Sequence, residues 1–551
     1  MSETTGQSAQ EGILRSAGII SGAVLLSRVT GLLREIVMAR LFGASMVYDA
    51  FALGFRIPNL TRDLFAEGAL SSAFVPTFTE YLTFKGKKDA QELSNLVGTA
   101  VLLIVGSISV LGMILSPELV GLLAPGWAAR DPAKYALAIR MTRIMFPFLL
   151  LVALAAQAMG ILNACNRFGV PALASSFFNL GSVGFGLALG FLFAPHLGLS
   201  AIEGMAYGVV LGGALQLFWQ APSLRRAGFA FRLRFDWGHP GLRHIIRLMG
   251  PAIIGSAAVQ VNVMVNTNFA SNIVDPLRGV NGPVSWLQYA FRFMQLPLGL
   301  FGVAIASATL PSISRSAASG NLDEFRRTLS RSLGMVFLLT LPSSVGLAIL
   351  GESMIGAIYQ GGKFESYDTH QTALALSCYA AGLAGYSAVK VLAPAFYALG
   401  NARVPMLVSL ASIMINFVVA FAMVHGAGLG HAGLALATSG VALFGSVALF
   451  WTLRQRIGGI HGRALARSVL KIGLASLIMG AAAASSSRAI ETWLGISRLA
   501  RVTDLAISIP LGAAVFYGIC RATRVEELEA AGRALSAALS KAIRRPRGKI
   551  K

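Results

Sequence analysis

Blocks of about twenty mostly apolar residues, separated by short polar breaks, recur along this 551-residue chain, and that recurrence restricts its fold more than any motif does. A bilayer core offers backbone groups no partner outside the chain itself, so blocks this long cross as helices and not as barrel strands. With 55% hydrophobic residues, 13% charged residues and a mean hydropathy of +0.67, the chain is too apolar for a soluble protein of this length. The pattern predicts an all-α polytopic membrane protein with about fourteen transmembrane helices. They begin near Ile13, Val47, Leu93, Ala136, Ala172, Ile202, Ile246, Pro283, Leu333, Thr372, Met406, Ala432, Val469 and Asp504.

A net charge of +22 raises the possibility of nucleic acid, but the basic residues sit in short loops spaced one helix pair apart. These include KGKK at Lys85 to Lys88, RRAGFAFRLR from Arg225, FRRTLSR from Phe325, LRQRIGGIHGRALAR from Leu453 and the tail RRPRGKIK. Such spacing is that of topology determinants, and it places both termini in the cytoplasm with no nucleic-acid partner. Arg488, Arg498 and Arg501, between the last two spans, are exceptions. Cys165, Cys378 and Cys520 make no CxxC pair and no disulfide framework. The polar start MSETTGQSAQEG lacks a basic n-region, so the first helix is expected to stay attached.

The chain repeats itself. AFRFMQLPLGLFGVAIASATLPSISRS from Ala290 echoes GFRIPNLTRDLFAEGALSSAFVPTFTEY from Gly54, pairing Arg56 with Arg292 (292−56=236) and Pro76 with Pro311 (311−76=235). NRFGVP ending at Pro171 returns as NARVP ending at Pro405 (405−171=234). That period covers six predicted spans. The expectation is two pseudo-symmetric six-helix lobes, 1–235 and 236–455, then two extra helices at 456–525 and a basic cytoplasmic tail at 526–551. Parallel repeats of this kind are a transporter plan, with two lobes rocking about a central cavity.

The first two spans carry nine charged residues between Arg28 and Glu67. Each ion at bilayer depth costs about 2.5–3.5 kcal/mol on insertion scales, so such a cluster must face water or protein. Seven residues is close to two helical turns, so Arg28 and Glu35 share a stripe, as do Asp49, Arg56 and Asp63, with Glu67 a turn later. Two readings compete. Structural ion pairs suit Asp49, Arg56, Asp63 and Glu67, whereas at Arg28, Arg34, Arg62 and Arg292 positive charge exceeds the nearby acids and ligand contact is favoured. Guanidinium groups make paired hydrogen bonds to phosphate oxygens and stay charged when desolvated, so a diphosphate headgroup fits.

Other chemistries lack their residues. GGKF at Gly361 has neither the spacing nor the hydroxyl of a nucleotide-binding P-loop. The aspartates form no DxD or DDxxD, which weighs against a metal-dependent transferase, and the seven histidines show no metal spacing, so no cofactor is expected. An embedded cation site in the seventh, eleventh or twelfth span would have to use Asn262, Asn266 or Asn416. Coupling to the membrane potential, at about 2.3 kcal/mol per charge per 100 mV, is easier to defend.

The runs SRVTGLLREIVMARLFGAS, DAFALGFRIPNLTRDLFAEGALSSAFVP and VSWLQYAFRFMQLPLGLFGVAIASATLPSISR closely resemble the MurJ (MviN) family, lipid II flippases of the MOP exporter superfamily. The resemblance implies a MOP/MATE-like bundle around a cationic cavity. Undecaprenyl-diphosphate-linked disaccharide pentapeptide, the peptidoglycan precursor, would move from the inner to the outer leaflet of the bacterial cytoplasmic membrane. It also implies a polyprenyl-tail groove on the thirteenth and fourteenth helices. Essential arginines map onto Arg28, Arg34, Arg62 and Arg292, with the acidic partner at the outer end on Asp49. In the resulting picture Arg28, Arg34 and Arg292 bind the diphosphate, Arg62 and Glu67 shape the inner gate, Asp49 latches the outer one, and Glu35 and Arg56 complete the cavity ion pairs. Where relatives often have acids beside the eighth-span arginine, this chain has Phe291 and Gln295. A non-enzymatic, monomeric transporter is expected, with membrane lipids as its other partners. An exporter of another polyprenyl-linked oligosaccharide or of drugs is the alternative.

Overall fold

The computed structural model describes residues 2–63, 70–460, 462–529 and 532, and among these not the side chains of 2–21, 71, 72, 195, 251, 252 and 254–256. Glu67 and, in the basic tail, residues 530, 531 and 533–551 lie outside the described residues. The chain forms two compact units, Met1–Ser285 and Trp286–Lys551. The first contains α1 (Ser2–Phe42), α2 (Met46–Arg62), α3 (Ser71–Glu80), α4 (Lys87–Ile114), α5 (Ser116–Leu123), α6 (Pro125–Arg130), α7 (Pro132–Met145), α8 (Pro147–Ala164), α9 (Gly169–Leu187), α10 (Ala194–Leu197), α11 (Ala201–Ala227) and α12 (Pro240–Asn272). The second starts within α13 (Pro283–Pro297) and continues through α14 (Ala304–Ala318), α15 (Leu322–Ile358), α16 (Ser366–Ala380), α17 (Leu383–Ala398), α18 (Arg403–Phe421), α19 (Gly430–Arg456), α20 (Gly462–Leu494) and α21 (Arg498–Ala522). The expected seventh span, on α12, packs within the first unit against α3 to α6.

All fourteen expected spans begin on a helix. Among the described residues ten runs are long and apolar enough to cross a membrane, eleven if α16 and α17, bent by 42° at their junction, count as one span. The three expected spans outside this set lie on α1, α2 and α12. They carry polar groups where apolar ones would stand: Arg28, Arg34 and Glu35 on α1, Asp49, Arg56 and Arg62 on α2, Asn262 and Asn266 on α12. The repeat is visible in the helices themselves. α9 runs into a π-helical turn, Ala188–Leu192, and α18 does the same at Ala422–Gly426, displaced by 403−169=234 residues, the offset of the sequence echo.

Local chemistry sets the helix ends. Asp131 Oδ1 accepts from Lys134 N–H at the start of α7, Ser200 and Glu203 form a capping box on α11, and Asn321 accepts from Glu324 N–H on α15. Each satisfies first-turn donors that the helix leaves open. Within the first unit α9 and α11 approach backbone to backbone along Gly204, Gly208 and Gly212, spaced four apart on one stripe of α11. A Cβ at Gly204 would fall 2.2 Å from Gly190 Cα, and one at Gly208 2.5 Å from both Gly186 Cα and Ser182 O.

In the second unit, two of the arginines that break the loop-charge pattern have structural employment. Arg498 Nε donates to Ala357 O in the last turn of α15 at 3.1 Å, and Arg501, 6% exposed, donates to Gln360 Oε1. Both cations sit at a helix C-terminus, where open carbonyls favour positive charge. Gly356 makes the room, because a Cβ there would lie 1.5 Å from Arg501 Nη1. Gly356→Ala is therefore expected to lower stability by about 1–3 kcal/mol through overpacking. Thermal unfolding in detergent checks this, and adding Gly356→Ala to an Arg501→Ala protein should cost little more than Arg501→Ala alone.

Candidate functional site

Asp49 stands in the first turn of α2, whose N-terminus is capped by Ser45. Its side chain is wholly buried, as is that of Lys134 on α7, and Lys134 Nζ lies 2.7 Å from Asp49 Oδ2. The carboxylate also accepts from Gly282 N–H at 2.9 Å, from Ser285 N–H at 3.0 Å and from the Ser285 hydroxyl. The ammonium spends its other protons on Val280 O at 2.7 Å and Asn281 Oδ1 at 3.1 Å, and it faces the Trp127 ring at 4.1 Å. Every strong donor and acceptor of the pair is thus engaged, the condition under which a buried ion pair is tolerated. The knot ties α2 and α7 to the segment 280–285.

Sequence reasoning singled out Asp49 but missed Lys134. The span there was expected to begin at Ala136, which left Lys134 in a loop, whereas Asp131 and Pro132 start the helix earlier and place the lysine inside its first turn. A lysine at the edge of an apolar block, on the side poor in basic residues, was the available signal.

The arginines occupy several environments. Arg28 on α1 is exposed, whereas Glu35, two turns along the same stripe, is 9% exposed. α1 is held beside α9 here by Asn179, whose Nδ2 donates to Ser27 O at 3.2 Å. Arg34, half-buried, has its guanidinium 5.7 Å from the Phe55 ring centre and 5.4 Å from that of Phe178, a placement that stabilises the cation without neutralising it. Arg56 donates to Thr267 Oγ1 at 2.8 Å, linking α2 to α12. Arg62 pairs with its neighbour Asp63 at 2.9 Å, both side chains partly exposed. In the second unit Arg292, half-buried on α13, donates to Gln295 Oε1 at 3.3 Å, a neutral acceptor. Within the first unit the structure therefore brings Asp49 to a lysine and Arg56 to a hydroxyl.

The second unit also has an open, mostly apolar pocket of about 960 Å3 between α15, α17, α19 and α20. Leu333, Phe337, Leu392 and Phe450 are among its walls, and Arg454 and Arg463 line it as well. Of the two helices expected to form a tail groove, α20 lines this cavity and α21 does not.

The comparisons with known proteins agree. The family model described as "Lipid II flippase MurJ" matches residues 38–503. The lipid II flippase MurJ of Burkholderia cenocepacia is 33% identical over 514 residues, covering 92% of this chain and 96% of the relative. The probable lipid II flippase MurJ of Vibrio cholerae is 32% identical over 530 residues, covering 94% and 98%. A solved structure described as lipid II flippase MurJ in an inward closed conformation superposes with a TM-score of 0.71 at 26% identity, covering 92% of this chain and 99% of that one. An inward-facing multidrug resistance MATE family transporter of the MOP superfamily shares the fold, with a TM-score of 0.58 at 16% identity over 80% of this chain and 94% of that one. On the family match and this coverage, the chain belongs to the lipid II flippase MurJ family.

Proposed function

We propose that this chain is a lipid II flippase, carrying the undecaprenyl-diphosphate-linked peptidoglycan precursor from the inner to the outer leaflet of the bacterial cytoplasmic membrane by alternating access. The observation that carries the reading is the match to the family over most of the chain, whose first unit keeps cations on the two expected spans. No covalent step is involved. Arg28, Arg34 and Arg292 take the diphosphate oxygens. Arg34 suits this because two rings lie near its guanidinium, a group that binds phosphate oxygens in pairs. Arg62 serves the inner gate together with Glu67, whose role rests on the resemblance alone. The Asp49–Lys134 knot is the outer latch, and Glu35 and Arg56 order the helices that carry the cations.

The polyprenyl tail follows an apolar path along the C-terminal helices, for which the cavity beside α20 is the support. Residues 1–235 and 236–455 act as repeat-related lobes, 456–525 as the tail-binding addition and 526–551 as a basic tail. The protein works as a monomer with both termini in the cytoplasm, the orientation that the basic loops favour.

The reading is tested in cells whose own flippase is depleted. Wild-type protein should restore lipid II at the outer face, while Arg28→Ala and Arg292→Ala should reduce it at least tenfold at unchanged protein level. Normal flipping by Arg28→Ala would refute the assignment of the diphosphate site, and failure of the wild-type chain would refute the function.

A further inference from the structure

The connection between α11 and α12 is not a loose loop. After Gly228, whose φ of +83° ends α11, residues 230–235 run extended alongside α4. Ala230 N–H donates to Gln91 Oε1 at 3.2 Å, Arg232 N–H to Asn95 Oδ1 at 3.0 Å and Arg234 N–H to Thr99 Oγ1 at 3.1 Å, while Gln91 Nε2 returns a bond to Ala230 O at 2.8 Å. The register has a geometric cause. Four residues of helix rise about 6 Å and two residues of extended chain about 6.6–6.8 Å, so polar side chains at 91, 95 and 99 meet every second N–H of the strap. α4 thus replaces a neighbouring strand.

Because the even N–H groups face α4, the side chains alternate across it. Phe231, Leu233 and Phe235 lie on one side, 56%, 56% and 67% exposed, and Arg232 and Arg234 on the other, also exposed. Trp237, 47% exposed, follows them. Phe231 rests its ring edge over Gly98, where a Cβ would fall 2.7 Å from the ring. The odd N–H groups point away from α4 and find no acceptor among the described residues. That excludes the hydrocarbon core as their surroundings and suits a hydrated layer.

α4 itself supplies the depth. Its 28 residues span about 42 Å against a core of about 30 Å, so about 12 Å, or the turns from Lys87 to Ser94, reaches past the core; the start of the strap at Gln91 falls in the headgroup region, and its later residues, beside Asn95 and Thr99, run down to the core boundary. The nearby charges are mostly positive. Lys87 and Lys88 begin α4, with Lys87 Nζ 5.9 Å from the Phe229 ring centre, and Arg225 and Arg226 end α11. Asp89, Glu92 and Asp236 are the acids, and Asp236 already accepts from Gly238 N–H at 2.8 Å.

We propose that residues 230–237 form a membrane-seated strap that binds anionic phospholipid, with Phe231, Leu233, Phe235 and Trp237 among the acyl chains and Arg232 and Arg234 on headgroup phosphates. The strap is a lipid site separate from the substrate arginines. Interfacial aromatic residues and basic residues at the membrane surface both favour this seat.

The test uses the full chain in nanodiscs of mixed phosphatidylethanolamine and phosphatidylglycerol. A benzophenone side chain at position 231 or 235 should give lipid photoadducts on irradiation. Native mass spectrometry should show the phosphatidylglycerol-to-phosphatidylethanolamine ratio of retained lipid falling several-fold in Arg232→Gln/Arg234→Gln. Both arginines are exposed and, among the described residues, donate only through their backbone, so the variant keeps the fold. An unchanged ratio, or photoadducts with a second copy or another protein in place of lipid, would overturn the proposal. Neither readout requires flipping, so the result stands apart from the assigned function.

Discussion

Lys134→Met should destabilise the protein by about 3–5 kcal/mol, the usual consequence of removing one partner of a buried ion pair. The cost comes from what remains. Asp49 keeps its three donors from Gly282 and Ser285 but loses the ammonium that neutralises it, and Val280 O and Asn281 Oδ1 lose their donor as well. Asp49→Asn leaves the ammonium without its counter-charge in the same way. Thermal unfolding in detergent should show both single variants strongly destabilised, with Asp49→Asn/Lys134→Met falling by clearly less than the sum of its two single changes. If the knot is also the outer latch, the double variant, which loses less stability than the two single changes together, will still transport poorly. An additive double variant would mean that the two groups do not depend on each other.

Gly208→Val should abolish accumulation of folded protein, a loss of about 4 kcal/mol or more. The new Cβ would meet Gly186 Cα and N and Ser182 O, which are backbone atoms of α9 that cannot rotate aside. The helices would have to separate along the whole stripe, forfeiting the close packing that holds helices together where lipid is as apolar as the side chains. Gly184→Val on α9, where a Cβ meets nothing within 4 Å, is the matched control and should leave expression unchanged. Fluorescence-detected size exclusion of tagged variants distinguishes the two.

Much of the fold was legible because its cause is local. A block of apolar residues long enough to span a bilayer forms a helix whatever its neighbours are, so Leu93, Ile202 and Ala432 each fall on the expected helix. The charged stripe was legible for a related reason, since Arg28, Arg34, Asp49 and Arg56 are costly in lipid wherever they lie. The span count was harder to read. The helices that carry those charges, α1 and α2, and the amide-bearing α12, are the ones that composition alone does not place across a membrane.

What the sequence could not supply were the partners. Periodicity put Asp49 and Arg56 on one stripe, but it could not show that Asp49 meets Lys134, 85 residues away, or that Arg56 meets Thr267, 211 residues away. Arg498 and Arg501 read as misplaced loop charges until α15 brought its C-terminal end to them. The sequence by itself determined the helices, their repeat and which residues are too polar for lipid, because solvation and backbone bonding act on each segment separately. The tertiary structure alone decided which charges neutralise one another, where two backbones touch and what an extended strap leans on. Those depend on distances between segments remote in the chain, which no local pattern encodes.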